Sequence, residues 1–335
     1  MRFILISILL GVLFLLNLFI GSVDIAPKEV IDILFFGGDP DGPIRFIVLG
    51  SRMPQAITAL LAGAALTVAG LMLQTAFHNP LAGPSILGIT SGASLGVAFV
   101  MLLLGGSVTA AGYSFGGYMA ILAGAFAGSI AIMGLLLLFS VLLKNDLMLL
   151  ITGIMVGYLT SSVITLLNYL STAEGVQGYM MWGMGNFNGV SNEQLPLFVI
   201  TISVGLILSV MLIKPLNVIL LGENYAQNLG ISMQKTRNLL LAATGLLTSV
   251  VTAYCGPISF IGLAVPHITR MIFRVSDHRV IIPGCMLIGG ATGLLCNLLC
   301  VLPSDIILPL NGVTPLIGVP VVLYVILKKR NSKTQ

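Results

Sequence analysis

The sequence predicts an all-α fold: a polytopic transmembrane helical bundle of about ten spans per subunit. Composition is the first observation behind this. Of 335 residues 57% are hydrophobic and 8% charged, with a mean hydropathy of +1.08, whereas soluble chains carry about 25% charged residues. The second is that the apolar runs are long and lack period-two alternation, so they are helices and not barrel strands. The third is that the few charges fall between the runs. Residues 1–335 are read as a single transmembrane domain.

Residues 3–21 follow Met1-Arg2 as the first apolar run, and no clean small-x-small cleavage site comes after it, so it is read as a retained span. Residues 22–51 are the longest polar stretch and are expected to form an external loop, with turn chemistry at 37–43. The core spans fill residues 52–327. Span two covers about 52–76 and ends in the breaker-rich His78-Asn79-Pro80-Leu81-Ala82-Gly83-Pro84. Span three, about 86–104, begins with the small residues Gly88, Ser91, Gly92, Ala93 and Ser94, which allow close helix approach. Spans four and five, about 117–143 and 147–170, are separated by the minimal turn Lys144-Asn145-Asp146. Residues 171–194 are polar and aromatic, and Met180-Met181-Trp182-Gly183-Met184 suits a short interfacial helix. Span six is 195–213, span seven 238–254, and a short, broken span eight lies within 256–270. Spans nine and ten are about 281–301 and 313–327, and a basic tail occupies 328–335.

Between spans six and seven lies the stretch Leu220-Leu221-Gly222-Glu223-Asn224-Tyr225-Ala226-Gln227-Asn228-Leu229-Gly230, edged by Lys214, Lys235 and Arg237. Leu221, Tyr225 and Leu229 recur at i, i+4 and i+8 with Ala226 beside them, a short helix bracketed by Gly222 and Gly230. Such a helix is either an amphipathic connector on lipid headgroups or a docking helix for a soluble partner.

Placing the N-terminus inside puts Arg2, Lys144, Lys214, Lys235, Arg237, Arg270, Arg274, Arg279, Lys328, Lys329, Arg330 and Lys333 inside. Only Lys28, Arg45 and Arg52 of the fifteen cations remain outside, which supports ten spans with both ends cytoplasmic. Cys255, Cys285, Cys296 and Cys300 show no metal spacing and are read as packing residues. His78, His267 and His278 fall at loops or helix ends and are expected to be hydrogen-bonding surface residues. The chain has no Walker loop, nucleophile triad or acidic metal cluster, so no catalytic residue, cofactor, metal or nucleic-acid partner is expected. Ion-coupled carriers usually place a carboxylate at mid-span. No Asp or Glu falls there. That argues against the alternative reading, an ion-coupled secondary transporter of a small solute, and points to energy from a partner ATPase.

A set of motifs in one order then carries a resemblance: Arg52-Met53-Pro54; Gly63-Ala64-Ala65-Leu66 with Gly70 and Gln74; Asn79-Pro80-Leu81-Ala82-Gly83-Pro84; Trp182-Gly183-Met184-Gly185; Leu221-Gly222-Glu223 through Leu229-Gly230; Phe260-Ile261-Gly262-Leu263; Pro266-His267-Ile268-Thr269-Arg270; and Asp277-His278-Arg279. From about residue 45 onward the chain resembles the permeases of ATP-binding-cassette importers for iron-siderophores, haem and vitamin B12. The resemblance implies a non-catalytic, multi-pass subunit of the bacterial cytoplasmic membrane, paired as a homodimer or with a related permease. Two cytoplasmic ATPase subunits and an external substrate-binding protein would complete it.

It further implies that Leu221, Gly222, Glu223, Tyr225, Ala226, Leu229 and Gly230 form the helix that couples to the ATPase. Asn79, Pro80 and Leu81 with Asn145 and Asp146 would form the cytoplasmic gate, and Arg52 would dock the binding protein. Three positions depart from the family pattern: Gln55 and Cys300 stand where Arg is common, and Ile307 where an acid is usual. The outer docking surface is therefore expected to be less basic.

The ten-span topology is checked by labelling. In a cysteine-free background, a membrane-impermeant thiol reagent applied from outside should mark Asn188→Cys and spare Asn228→Cys; the reverse pattern would sink it.

Overall fold

Ala56, Ala59, Ala62, Gly63, Ala65, Ala69 and Gly70 make one helix slim enough for others to close around it, and that helix is the axis of the fold. The structure is a computed structural model that describes residues 1–37, 42–105, 107–110, 113–143, 146–230, 232–302 and 306–331. In chain order it runs α1 (Arg2–Phe19), α2 (Pro27–Phe36), α3 (Pro43–Arg45), a π-helical segment at Phe46–Arg52, and α4 (Met53–Ala76). Then come α5 (Ile89–Ala98) with a π-helical end, a hairpin of β1 (Ser107–Ala110) and β2 (Tyr113–Gly116), α6 (Tyr118–Leu142) and α7 (Asp146–Leu170). The remainder is α8 (Ala173–Gly183), α9 (Leu195–Met211), α10 (Ile213–Ile219), α11 (Glu223–Asn228), α12 (Met233–Cys255), α13 (Ile261–Phe273), α14 (His278–Val301) and α15 (Leu310–Asn331).

Helix α4 packs against α14, α12, α13 and α9, and α1 packs on α14 and touches α4. α5, α6 and α7 form a second group joined to the first through α12. The contacts of α4 are backbone-close. A Cβ on Gly63 would strike the Gly289 carbonyl, and one on Gly70 the Gly262 carbonyl. The main core cluster runs through α4, α9, α12 and α14 with Leu71, Met72, Phe198, Leu247, Ile282 and Leu294.

Among the described residues, six helices are long and apolar enough to cross a membrane, or seven when the bent pair α9 and α10 is counted as one. Three shorter apolar helices, Ile89–Leu103, Ile261–Phe273 and Leu310–Tyr324, occupy the places of the third, eighth and tenth expected spans. The stretch 22–51 is not the plain loop expected. It holds α2, and from Pro43 the chain is already helical and runs into α4 as one continuous 34-residue helix. Pro27 and Pro43 each sit in a first helical turn, where a missing N–H costs nothing, so residues that look like loop punctuation start helices here. The hairpin at 107–116 is a small β addition to the expected all-α bundle.

Candidate functional site

α10 ends at Ile219, and the chain turns through Gly222 (φ 105°), runs through α11 and turns again at Gly230 (φ 80°). Both angles lie in the left-handed region that glycine adopts without a Cβ clash. Leu221, Tyr225 and Leu229 stand 64%, 57% and 57% exposed, the first before Gly222, the second on α11 and the third just after it, and make up an exposed apolar set. Ala226 does not belong to it. One residue on from Tyr225 is a rotation of about 100°, and Ala226 is fully buried against its own chain. The side chain of Glu223 lies outside the described residues.

The loop after α4 is organised by Asn79, whose Oδ1 accepts the Leu81 N–H at 2.9 Å and whose carbonyl accepts the Ala82 N–H at 3.1 Å. Two histidines hold this loop from opposite sides. His78 Nε2 reaches the Ile219 carbonyl at 3.3 Å, and His267 Nε2 reaches the Pro80 carbonyl at 2.8 Å. A carbonyl can only accept, so each ring carries its proton on Nε2. The loop after α4 is thus tied to the last residue of α10, just before the 220–230 stretch, and to α13. Asn145 lies outside the described residues; Asp146 opens α7, and its side chain is likewise outside them.

A second link comes from Asn217 on α10. Its Oδ1 accepts the His278 backbone N–H at 2.8 Å and faces His278 Nδ1 at 2.7 Å, while its Nδ2 donates to Asp277 Oδ1 at 2.6 Å. His278 Nε2 meets the Thr75 hydroxyl of α4 at 2.9 Å. The Arg279 N–H, and after it the Asn217 amide, hold the Asp277 carboxyl below its ordinary range, so it is an anion at neutral pH. His267 and His278 are therefore buried links, not the surface residues expected. The sequence clue was their place in or beside apolar runs, where a polar ring must find partners.

Arg52 is buried, and its guanidinium donates to the carbonyls of Leu18 and Phe19, each at 2.9 Å, and to that of Val23. It closes the C-terminal end of α1, where backbone carbonyls have no helical partner. One further feature escaped the sequence reading. α7 leaves Tyr158, Ser161, Ser162, Thr165 and Tyr169 exposed along one side. Ser162 and Thr165 donate to the carbonyls of Tyr158 and Ser161 on their own helix.

Residues 9–328 match the FecCD transport family. This chain belongs to that family. The vitamin B12 import system permease proteins BtuC of Citrobacter koseri and of Salmonella typhi are each 37% identical to it, over 280 and 278 residues, covering 83% of this chain and 82% of theirs. A solved structure described as an inward-facing conformation of a metal-chelate type ABC transporter superposes with a TM-score of 0.84 at 28% identity, covering 96% of this chain and 97% of that one. PsaBC from Streptococcus pneumoniae in complex with Fab, at TM-score 0.52 and 15% identity, shares the fold alone.

In this FecCD chain the three positions expected to depart from the family pattern come together. Gln55, Cys300 and Ile307 line one cavity of about 20 Å³ with Asn186, Asn188 and Asn297. Gln55 Nε2 donates to Asn297 Oδ1 at 2.9 Å, Asn297 Nδ2 to Asn17 Oδ1 at 2.8 Å, and Asn17 Nδ2 to the Leu13 and Leu294 carbonyls. A neutral amide chain joins α4, α14 and α1 at this place. A lone arginine put into it would be a buried cation without a partner.

The burial of Arg52 sets a test. Each charged hydrogen bond it makes is worth about 1.5–3 kcal/mol, so Arg52→Ala should lower the melting temperature of the purified protein in detergent, and Arg52→Lys should recover only part of the loss. Unchanged melting in both, with weakened capture by an external binding protein, would return Arg52 to a direct docking role.

Proposed function

We propose that this chain is the membrane-spanning permease subunit of an ATP-binding-cassette importer for a metal-chelate ligand: an iron-siderophore, haem or vitamin B12. It hydrolyses no ATP itself. It works as a homodimer, or paired with a related permease, on two cytoplasmic ATPase subunits, and receives ligand from an external binding protein. The import role named for the vitamin B12 permease relatives and the likeness to a metal-chelate transporter support the ligand class. The distribution of cations supports ten spans, with both termini cytoplasmic, in the bacterial inner membrane.

The observation that carries the reading is the exposed apolar set Leu221, Tyr225 and Leu229, with Tyr225 on the short helix α11, Leu221 just before Gly222 and Leu229 just before Gly230, the two glycines being in left-handed conformation. This set is the coupling contact, and Gly222 and Gly230 let it enter a cleft. Glu223 belongs to the same stretch. Ala226 anchors the helix to the permease. Asn79, Pro80 and Leu81, with Asn145 and Asp146, narrow the cytoplasmic end of the path. The histidine links give the gate its connection to the coupling helix, since movement at Ile219 reaches Pro80 through His78 and the loop. The hydroxyl-bearing side of α7 faces the path between the two permeases. Binding-protein docking falls at the outer end of α1 and α4, and Arg52 contributes by holding that end in shape.

An ion-coupled secondary transporter is the reading from another class. Every Asp and Glu of this chain lies outside the interior of the spanning helices, which leaves such a carrier no mid-span group to carry its ion.

Substitutions in the coupling stretch separate a docked helix from a connector resting on lipid. Tyr225→Lys should be neutral or mildly favourable on anionic headgroups. In a packed interface it places an unpaired charge that costs several kcal/mol. The expected result is loss of ATP-driven uptake and of ATPase co-purification with normal insertion of the permease. Ala226→Arg should instead lower the yield of folded permease. Full transport by Tyr225→Lys would remove the set from the contact.

The gate has its own assay. Asn79→Ala with Asn145→Ala should let ligand leak from reconstituted vesicles without ATP. Leak and uptake equal to the parent would reduce both residues to loop caps.

A further inference from the structure

Between the gate loop and the coupling stretch lies a pocket of about 230 Å³ lined by Gln74, Thr75, His78, Arg270, Ser276 and His278, with Pro80 and Leu220 in its walls. Liquid water takes about 30 Å³ per molecule, so the pocket has room for several waters, or for a small oxyanion with part of its hydration.

Most of the polar groups facing the pocket are already committed. Gln74 donates to the Leu263 carbonyl and accepts from Arg270. His278 is held by Asn217 and Thr75, and His78 by the Ile219 carbonyl. Arg270 is different. Its guanidinium has five N–H donors, and the hydrogen bond described for it goes to Gln74 Oε1 at 2.7 Å. Among the described residues no carboxylate pairs with it. Asp277, the acid nearest in sequence, is spent on the Arg279 N–H and the Asn217 amide. A half-buried cation with unused donors therefore faces a cavity, with the Ser276 hydroxyl at the rim as a further donor. A desolvated guanidinium is the side chain best suited to a planar or tetrahedral oxyanion.

We propose that this pocket binds a small oxyanion of the phosphate class, held by Arg270 with Ser276, wedged between the gate loop and the residue that opens the coupling stretch. The anion is either free phosphate or the phosphate of an anionic lipid headgroup. The proposal concerns the permease by itself and does not rest on the transport reading.

The test uses the full-length chain purified in detergent. Equilibrium dialysis with labelled inorganic phosphate, against matched chloride, should show saturable binding. Arg270→Gln should weaken it roughly tenfold or more, as loss of a charged pair does. Arg270→Lys should retain part of it. Ser276→Trp, which fills the pocket from its exposed rim and leaves the guanidinium in place, should block binding in a protein that still folds. A second arm reconstitutes the chain in phosphatidylglycerol or phosphatidylcholine vesicles. Stabilisation by phosphatidylglycerol that needs Arg270, without binding of free phosphate, assigns the headgroup as the source. Absence of saturable, Arg270-dependent binding in both arms, or phosphate binding undiminished by Ser276→Trp, would overturn the proposal.

Discussion

The close approach of α4 to α13 and α14 is the constraint on which the rest of the molecule depends. Inside a bilayer the hydrophobic effect does not drive helices together, because lipid tails are as apolar as leucine. Attraction comes from van der Waals contact, which falls off within about an ångström of separation. Gly63 against Gly289 and Gly70 against Gly262 bring the backbones into contact with nothing between them. That contact sets the rotation and height of α4. It places Gln74, Thr75 and the loop after α4 directly over Arg270, His267 and His278. With a larger residue at either glycine, those pairs would part.

A second demand follows from the first. Helices packed in a membrane must still satisfy their terminal carbonyls. Arg2 donates to Phe273 at the end of α13, Arg52 to Leu18 and Phe19 at the end of α1, and Arg237 to Leu143 at the end of α6. Three of the cations used to orient the spans therefore also close helix ends, where positive charge is favoured by the helix dipole. Arg52 shows the consequence. A cation at a span boundary is as readily consumed by its own fold as offered to a partner, and the linear sequence does not distinguish the two.

Helix identity and the short bracketed helix within 220–230 were legible in the sequence because each is local. Hydropathy over about 20 residues marks a membrane helix, and glycines around an i, i+4, i+8 apolar pattern mark a short bracketed one. The pattern could not place Ala226. It sits next to Tyr225 in sequence, and whether a small residue faces out or in depends on what α11 rests against. The helices within 22–51 were missed because proline and glycine there read as breakers, whereas Pro27 and Pro43 fall in first turns.

By itself, the sequence determined that this chain is a bundle of membrane helices, where its polar segments fall, and which family it resembles, since all three are written in composition and in motifs read in order. Only the tertiary structure decided how those segments meet: that His78 and His267 grip the loop after α4 from two sides, that Gln55, Cys300 and Ile307 share one cavity, and that Arg270 faces a pocket with donors unused. The physical reason is distance along the chain. His267 and Pro80 are 187 residues apart, and Gln55 and Asn297 are 242 apart. No periodicity reaches across such separations, and these pairs exist only because glycine lets the helices that carry them touch.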